Sequence, residues 1–136
     1  MNTDEENALT ERVIGAILEV SNILGAGFLE KLYQRALLRE LGLRGMRASA
    51  EASFAVSYKG QHIGQYYADI LVEDVLVVEL KCGERLAPEH TAQCLNYLRV
   101  SGRRICLLVN FQRPKAEWQR IVYGYQAAEP VETSLS

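Results

Sequence analysis

Positive charge is scarce in this chain. Across 136 residues, 15 Lys and Arg stand against 17 Asp and Glu, a net charge of −2. That weighs against a high-affinity, nonspecific nucleic-acid binder, which needs basic surface to meet phosphates. Cysteine is limited to Cys82, Cys94 and Cys106, an odd number with no CxxC spacing. Such spacing fits neither a disulfide framework nor a zinc site, and buried free thiols are expected. No apolar run approaches the roughly 20 residues that span a membrane. The first residues, Met1 to Glu6, are polar and acidic rather than signal-like, so the expected location is cytoplasmic. Internal repeats and low-complexity segments are also missing, and His62 has no neighbour spaced to share a ligand with it.

What is present reads as one globular domain over residues 1–136, with its core from about 10 to 125 and loose ends. An apolar content of 49% suits that reading. Val13, Ile17, Val20 and Leu24 recur at helical spacing, predicting a helix over Thr10–Leu24. Thr10 could cap it, or Thr3 could cap an earlier start with Glu6 completing a capping box. Gly25-Ala26-Gly27 breaks the helix. A second follows over about Leu29–Leu41, with Leu32, Ala36 and Leu37 as its core side and Gly42 as C-cap. Phe54, Val56 and Tyr58 alternate as a half-buried strand does, and Lys59-Gly60 turns it into Gln61–Tyr67. His62 then reads as an edge-strand surface residue. Pro88 opens a helix to about Val100, with Ala92, Leu95 and Leu98 as its core stripe. Arg103–Val109 reads as a strand, and Trp118–Tyr125 as a last, edge strand before a loose tail from Ala127. The expectation is an α/β fold, an antiparallel meander joined to a parallel crossover strand and flanked by helices.

The chemistry concentrates in Tyr67–Lys81. Two Val/Ile/Leu-rich runs flank Glu73-Asp74, and three charges, Asp69, Glu79 and Lys81, sit inside the strand pattern. Ionised groups there lose hydration unless paired or bound to a metal. A two-residue turn at Glu73-Asp74 would set Asp69 opposite Val78, away from Glu79. A three-residue link, or a bulge, would set Val72 opposite Leu76 and Asp69 opposite Glu79. Two carboxylates so close repel and call for a cation, and Mg²⁺ or Mn²⁺ suits oxygen donors. Lys81 would then stand beside a nucleophilic water or a phosphoryl oxygen. The plainer alternative is an exposed hairpin with a surface ion pair between Glu79 and Lys81.

Two residues elsewhere carry the same ambiguity. Glu30 lies in the first turn of the second helix, where the dipole favours an acid, or it is a third carboxylate aimed at the site beside Asp69. Gln93 is a surface amide or reaches the strand-end site. The arginines, among them Arg44, Arg47, Arg99, Arg103, Arg104, Arg113 and Arg120, either contact phosphates bidentately or solvate outer faces.

With these residues in view, the chain resembles the GxxExxY protein family, a branch of the PD-(D/E)XK nuclease-like superfamily. The resemblance rests on Gly27-Phe28-Leu29-Glu30-Lys31-Leu32-Tyr33, Tyr67-Ala68-Asp69 and Glu79-Leu80-Lys81. It also rests on Gln93-Cys94-Leu95-Asn96-Tyr97-Leu98 and Leu107-Leu108-Val109-Asn110-Phe111, and covers about Glu11–Val122. It implies a restriction-endonuclease-like mixed β-sheet and metal-dependent phosphodiester hydrolysis of DNA or RNA. It further implies that Asp69, Glu79 and Glu30 are metal ligands, Glu30 through water, that Lys81 positions or activates the water, and that Gln93 is an accessory residue. The alternative is an inactive nuclease-like scaffold that binds nucleic acid or a protein partner, or a self-associating protein with a vestigial site. Specific DNA interfaces bury about 1,000 Å² or more of protein. So small a domain is therefore expected to act as a homodimer, or on a nucleic-acid end, flap or single strand.

Overall fold

The computed structural model describes residues 1–83, 85–112 and 114–124, together with the backbone of Glu132 and Thr133. Arg113 and the rest of the expected tail lie outside the described residues. The first helix, α1 (Thr3–Leu24), starts earlier than either sequence-based cap. Asn2 Oδ1 accepts the Glu5 N–H at 2.8 Å, and Glu5 Oε1 accepts the Asn2 N–H at 3.1 Å. This reciprocal box, with Asp4, Glu5 and Glu6 in the first turn, favours the earlier start. Thr10 is internal, and its hydroxyl donates to the Glu6 carbonyl at 2.8 Å.

Helix α2 (Glu30–Leu43) buries Tyr33, Gln34, Leu37 and Leu41, a stripe at four-residue spacing. Leu32, expected in the core, is exposed, and Ala36 is only half-buried. The stripe runs one position round from the expected one because Tyr33 occupies the buried side. Gly42 stays inside the helix. The left-handed residue that ends it is Gly45, with φ 81°, and the Met46 N–H returns to the Leu41 carbonyl at 3.0 Å.

The long hairpin β1 (Ala48–Tyr58) and β2 (Gln61–Val72) closes at Lys59-Gly60, whose φ values of 48° and 82° are those of a tight primed turn. Only Ile70–Val72 of β2 pair with β3 (Leu76–Lys81), so the rest of β2 has no strand partner on that side; Phe54 and Tyr66 of the hairpin pack instead on the helix that follows β3. His62 is exposed on that free side of β2, as expected of an edge-strand surface residue. Between β2 and β3, Glu73 and Asp74 both have positive φ and Val75 is the third linking residue. Val72 therefore faces Leu76, which is the three-residue register.

Helix α3 (Pro88–Ser101) crosses over to β4 (Ile105–Asn110), which runs parallel to β3. The buried side of α3 is Cys94, Leu98 and Ser101; Ala92, expected inside, is exposed. Strand β5 (Glu117–Val122) is not the sheet edge, because β6 (Glu132–Thr133) pairs with Gln119 and Arg120. Two residues of the expected loose tail thus complete a six-stranded mixed sheet in the order β1-β2-β3-β4-β5-β6. This is a restriction-endonuclease-like architecture. Helices α1 and α2 pack one core against Ile70, Val78, Leu80, Leu107 and Val109. Helix α3 packs another against Ala68, Leu71, Val77, Cys106 and Leu108. The three thiols are free; Cys94 and Cys106 are buried and Cys82 is half-buried. Among the described residues, no helix is long and apolar enough to cross a membrane.

The α2 assignment makes a contrast measurable by urea denaturation. Leu37→Ala, at a fully buried site, should cost about 2–5 kcal/mol. Leu32→Ala should stay within about 0.5 kcal/mol. Equal costs would contradict the observed helix face.

Candidate active site

The site begins where the β2–β3 ladder ends. Ala68 packs in the α3 core, yet Ile70, two residues on, packs in the α1/α2 core. An undisturbed strand would show both on one face. The reversal falls at Asp69, opposite Glu51, whose φ of 56° departs from strand geometry. The Ala50–Ile70 and Ala52–Ala68 pairs flank this point. Freed from the ladder, the Asp69 carboxylate takes the place of a backbone acceptor, and its Oδ2 accepts the Leu80 N–H at 2.7 Å. The carboxyl stands next to that of Glu79, close enough for each to shift the other's titration.

Glu79 is 4% exposed. Burial, and then the Asp69 charge, push its pKa up to about 9. Its Oε1 is buried with no hydrogen-bond partner among the described residues. The pKa of Asp69 is raised too, chiefly by burial, with the Leu80 N–H and the Lys81 charge holding it back. Glu30, at the N-terminus of α2, is raised by burial and then by Asp69, and Lys81 opposes the shift. Asp69, Glu79, Glu30 and Lys81 thus share one electrostatic neighbourhood. Gln93 joins it: the Lys81 ammonium donates to Gln93 Oε1 at 3.4 Å, a long contact. Asp69, Glu79, Lys81 and Gln93 come together at the end of β3, and Glu30 lies within electrostatic reach of them.

The structure adds residues that sequence reasoning passed over. Gln34 is buried and donates from Nε2 to the Asp69 carbonyl at 2.8 Å and to Glu51 Oε1 at 3.2 Å. Glu51 also accepts from Lys31 at 3.1 Å, and these two bonds, Gln34 first, hold its carboxyl below the usual range. The signal for Gln34 was an amide between Tyr33 and Leu37 on a buried helix side. Glu51 gave none, since a glutamate with positive φ has no sequence signature. Several arginines are committed elsewhere: Arg44 to Glu40 at 2.7 Å, Arg47 to Glu73 at 3.4 Å and Arg104 to Glu6 at 3.8 Å. Arg103 pairs with Asp74, and Arg99 lies over the Tyr123 ring.

Among the described residues, no three acidic, histidine or cysteine side chains close into a ready-made metal cage. A small hard cation does not require one. Mg²⁺ is commonly held by one or two carboxylates, with waters and substrate phosphates completing the shell. A carboxyl pair, Glu79 buried and Asp69 half-buried, with one Glu79 oxygen lacking a partner supplies donors of that kind. The residues present fit a divalent cation held openly by Asp69 and Glu79, with Glu30 near its margin.

A mixed sheet between helices, carrying paired carboxyls and a lysine at the end of a parallel strand, defines the restriction-endonuclease-like class. The chain belongs to the PD-(D/E)XK nuclease superfamily: residues 7–121 match it, a span that contains all five site residues. Nucleases of this superfamily generally use divalent metal ions. No curated protein and no solved structure matches the chain.

Glu79 also gives the metal-free protein a characteristic pH response. Its carboxyl keeps a proton up to about pH 9 in the folded state, against an ordinary value of 4.5. Between those limits the folded chain binds more protons than the unfolded chain, so stability falls as pH rises. The contribution is complete below about pH 4.5 and lost through about pH 9. Melting temperatures in chelator from pH 5 to 9 should fall in the wild type and fall less in Glu79→Gln. Equal slopes would assign the effect to another group.

Proposed function

We propose that the chain is a metal-dependent nuclease that hydrolyses phosphodiester bonds in DNA or RNA, with Mg²⁺ or Mn²⁺ as its ion. The observation that supports this most is the meeting of the Asp69 and Glu79 carboxyls, beside Lys81, with a buried Glu79 oxygen lacking a partner. Asp69 and Glu79 would hold the ion through their carboxyl oxygens, and Glu30 would reach it through water. The bound ion supplies Lewis-acid stabilisation of charge on the phosphoryl oxygens. Lys81 orients the attacking water and balances charge developing on the phosphate. Gln93 Oε1 accepts a hydrogen bond from the lysine ammonium and so limits where it points. The attacking water forms the new P–O bond, and the sugar oxygen on the far side of phosphorus leaves. Four arginines are paired to acids and the net charge is −2, which leaves no large excess of positive charge for gripping a long duplex. Ends, flaps or single strands are therefore the substrates of choice, or a second copy of the chain widens the contact.

Labelled single-stranded and duplex oligonucleotides with Mg²⁺ or Mn²⁺ test this reading. Asp69→Asn and Lys81→Ala should each lower cleavage by about 100-fold or more. Calorimetric titration should show Mn²⁺ binding lost in Asp69→Asn and retained in Lys81→Ala. Oligonucleotide binding without cleavage, unchanged by chelator, would replace the nuclease with a non-catalytic binding scaffold.

A further inference from the structure

Glu30 is delivered to the site by a short loop after α1, and that loop is tied to the opposite side of the site by a chain of side-chain bonds. Gln112 lies just beyond β4. Its Oε1 accepts the Gly27 N–H at 3.2 Å, and its Nε2 donates to the Phe28 carbonyl at 2.9 Å. The same side chain lies near the thiol of Cys82, the residue that follows Lys81. One amide thus holds the approach to Glu30 and borders the exit from Glu79-Leu80-Lys81.

Gln112 is itself held. Its N–H donates to Oδ1 of Asn110, a fully buried residue, at 3.0 Å. Asn110 Nδ2 donates to the Gly83 carbonyl at 2.8 Å, fastening the β3 exit from below. On the loop's other side, the Tyr33 hydroxyl donates to the Gly25 carbonyl at 2.6 Å and accepts the Phe28 N–H at 3.2 Å. The Tyr33 ring stacks on Phe111, between Asn110 and Gln112 in the chain, with centroids 4.6 Å apart. Gly27, with φ 111°, permits the backbone path that brings both loop groups to Gln112. A surface glutamine that satisfies the loop at both a donor and an acceptor is more than a solvent-facing amide.

We propose that Gln112, seated on Asn110 and backed by Tyr33, is a positioning residue that clips the loop leading into α2 to the neighbouring ends of β4 and β3. It thereby fixes Glu30 relative to Asp69 and Lys81. The catalytic consequence rests on the nuclease reading; the clip itself does not.

Amide exchange by NMR on the metal-free full chain tests the clip. Gln112→Ala should speed exchange at Gly27 and also at Phe28, whose own acceptor is untouched, by about tenfold or more. Amides of Leu107 and Val109 in the sheet should not change. Tyr33→Phe, which keeps the ring stack, should have the same effect on Phe28. Unchanged exchange at Phe28 in Gln112→Ala would overturn the proposal. A double-mutant cycle on oligonucleotide cleavage tests the route through Glu30. Gln112→Ala and Glu30→Gln should each lower kcat by about tenfold with KM within about twofold, and the double variant should be no slower than the slower single. Losses that multiply would show that Gln112 does not act through Glu30. A wild type that cleaves nothing would overturn the nuclease reading and leave the clip to the exchange data. Cleavage by the wild type with unmoved Phe28 exchange would overturn the clip and leave that reading standing.

Discussion

Two carboxyl groups side by side, one of them out of water, ionise together only at high cost unless a cation stands between or beside them. Buried Glu79 and half-buried Asp69 impose that condition on the site. Lys81 supplies part of the compensation, the Leu80 N–H another part, and the proton retained by Glu79 the remainder. A stable fold gains nothing obvious from such a pair, because an apolar residue at position 79 would satisfy the α3 side of the sheet at lower electrostatic cost. Under the proposed function, the pair would give up that proton when a divalent ion binds.

The sheet is shaped to meet this condition at one point. Strand β2 turns over at Asp69, so that its neighbours on either side belong to different cores. A regular strand would have committed Asp69 to one helix layer. The reversal lets an acid on α2 and an amide on α3, from opposite layers, face the same strand ends. Gln34 steadies the turn by bonding both to the Asp69 carbonyl and to Glu51, the residue across the seam. The parallel β3–β4 pair brings Lys81 level with Asn110, which places the support for both loops directly beside the charged groups.

Much of this was legible in the residues, and what was missed has identifiable causes. The two strands around Glu73-Asp74, the parallel crossover and the long first helix follow from strong periodicity, which local sequence states clearly. The register of Asp69 was left open between two turns, since one residue decides it and turn chemistry at Glu73-Asp74 admits both; positive φ at both residues, followed by Val75, resolved it. Leu32 and Ala92 fit an inward stripe because leucine and alanine carry no mark of which helix face meets the sheet. Tyr33 and Cys94, equally able to be buried, take those places instead. Residues 132–133 look like tail because a two-residue strand has no period to detect. The site acids and Lys81 announced themselves as charges inside strands. Gln34, Glu51 and Gln112 act through backbone atoms of distant segments, and no spacing along the chain encodes that.

The central claim is that Asp69 and Glu79 jointly bind a divalent ion. Anomalous diffraction from a crystal of the full chain soaked in Mn²⁺ addresses it most directly. The account predicts one strong peak in contact with a carboxyl oxygen of each residue, at the roughly 2.1 Å expected for small hard cations. A peak at other residues only, or none at a concentration that saturates related carboxylate sites, would contradict it.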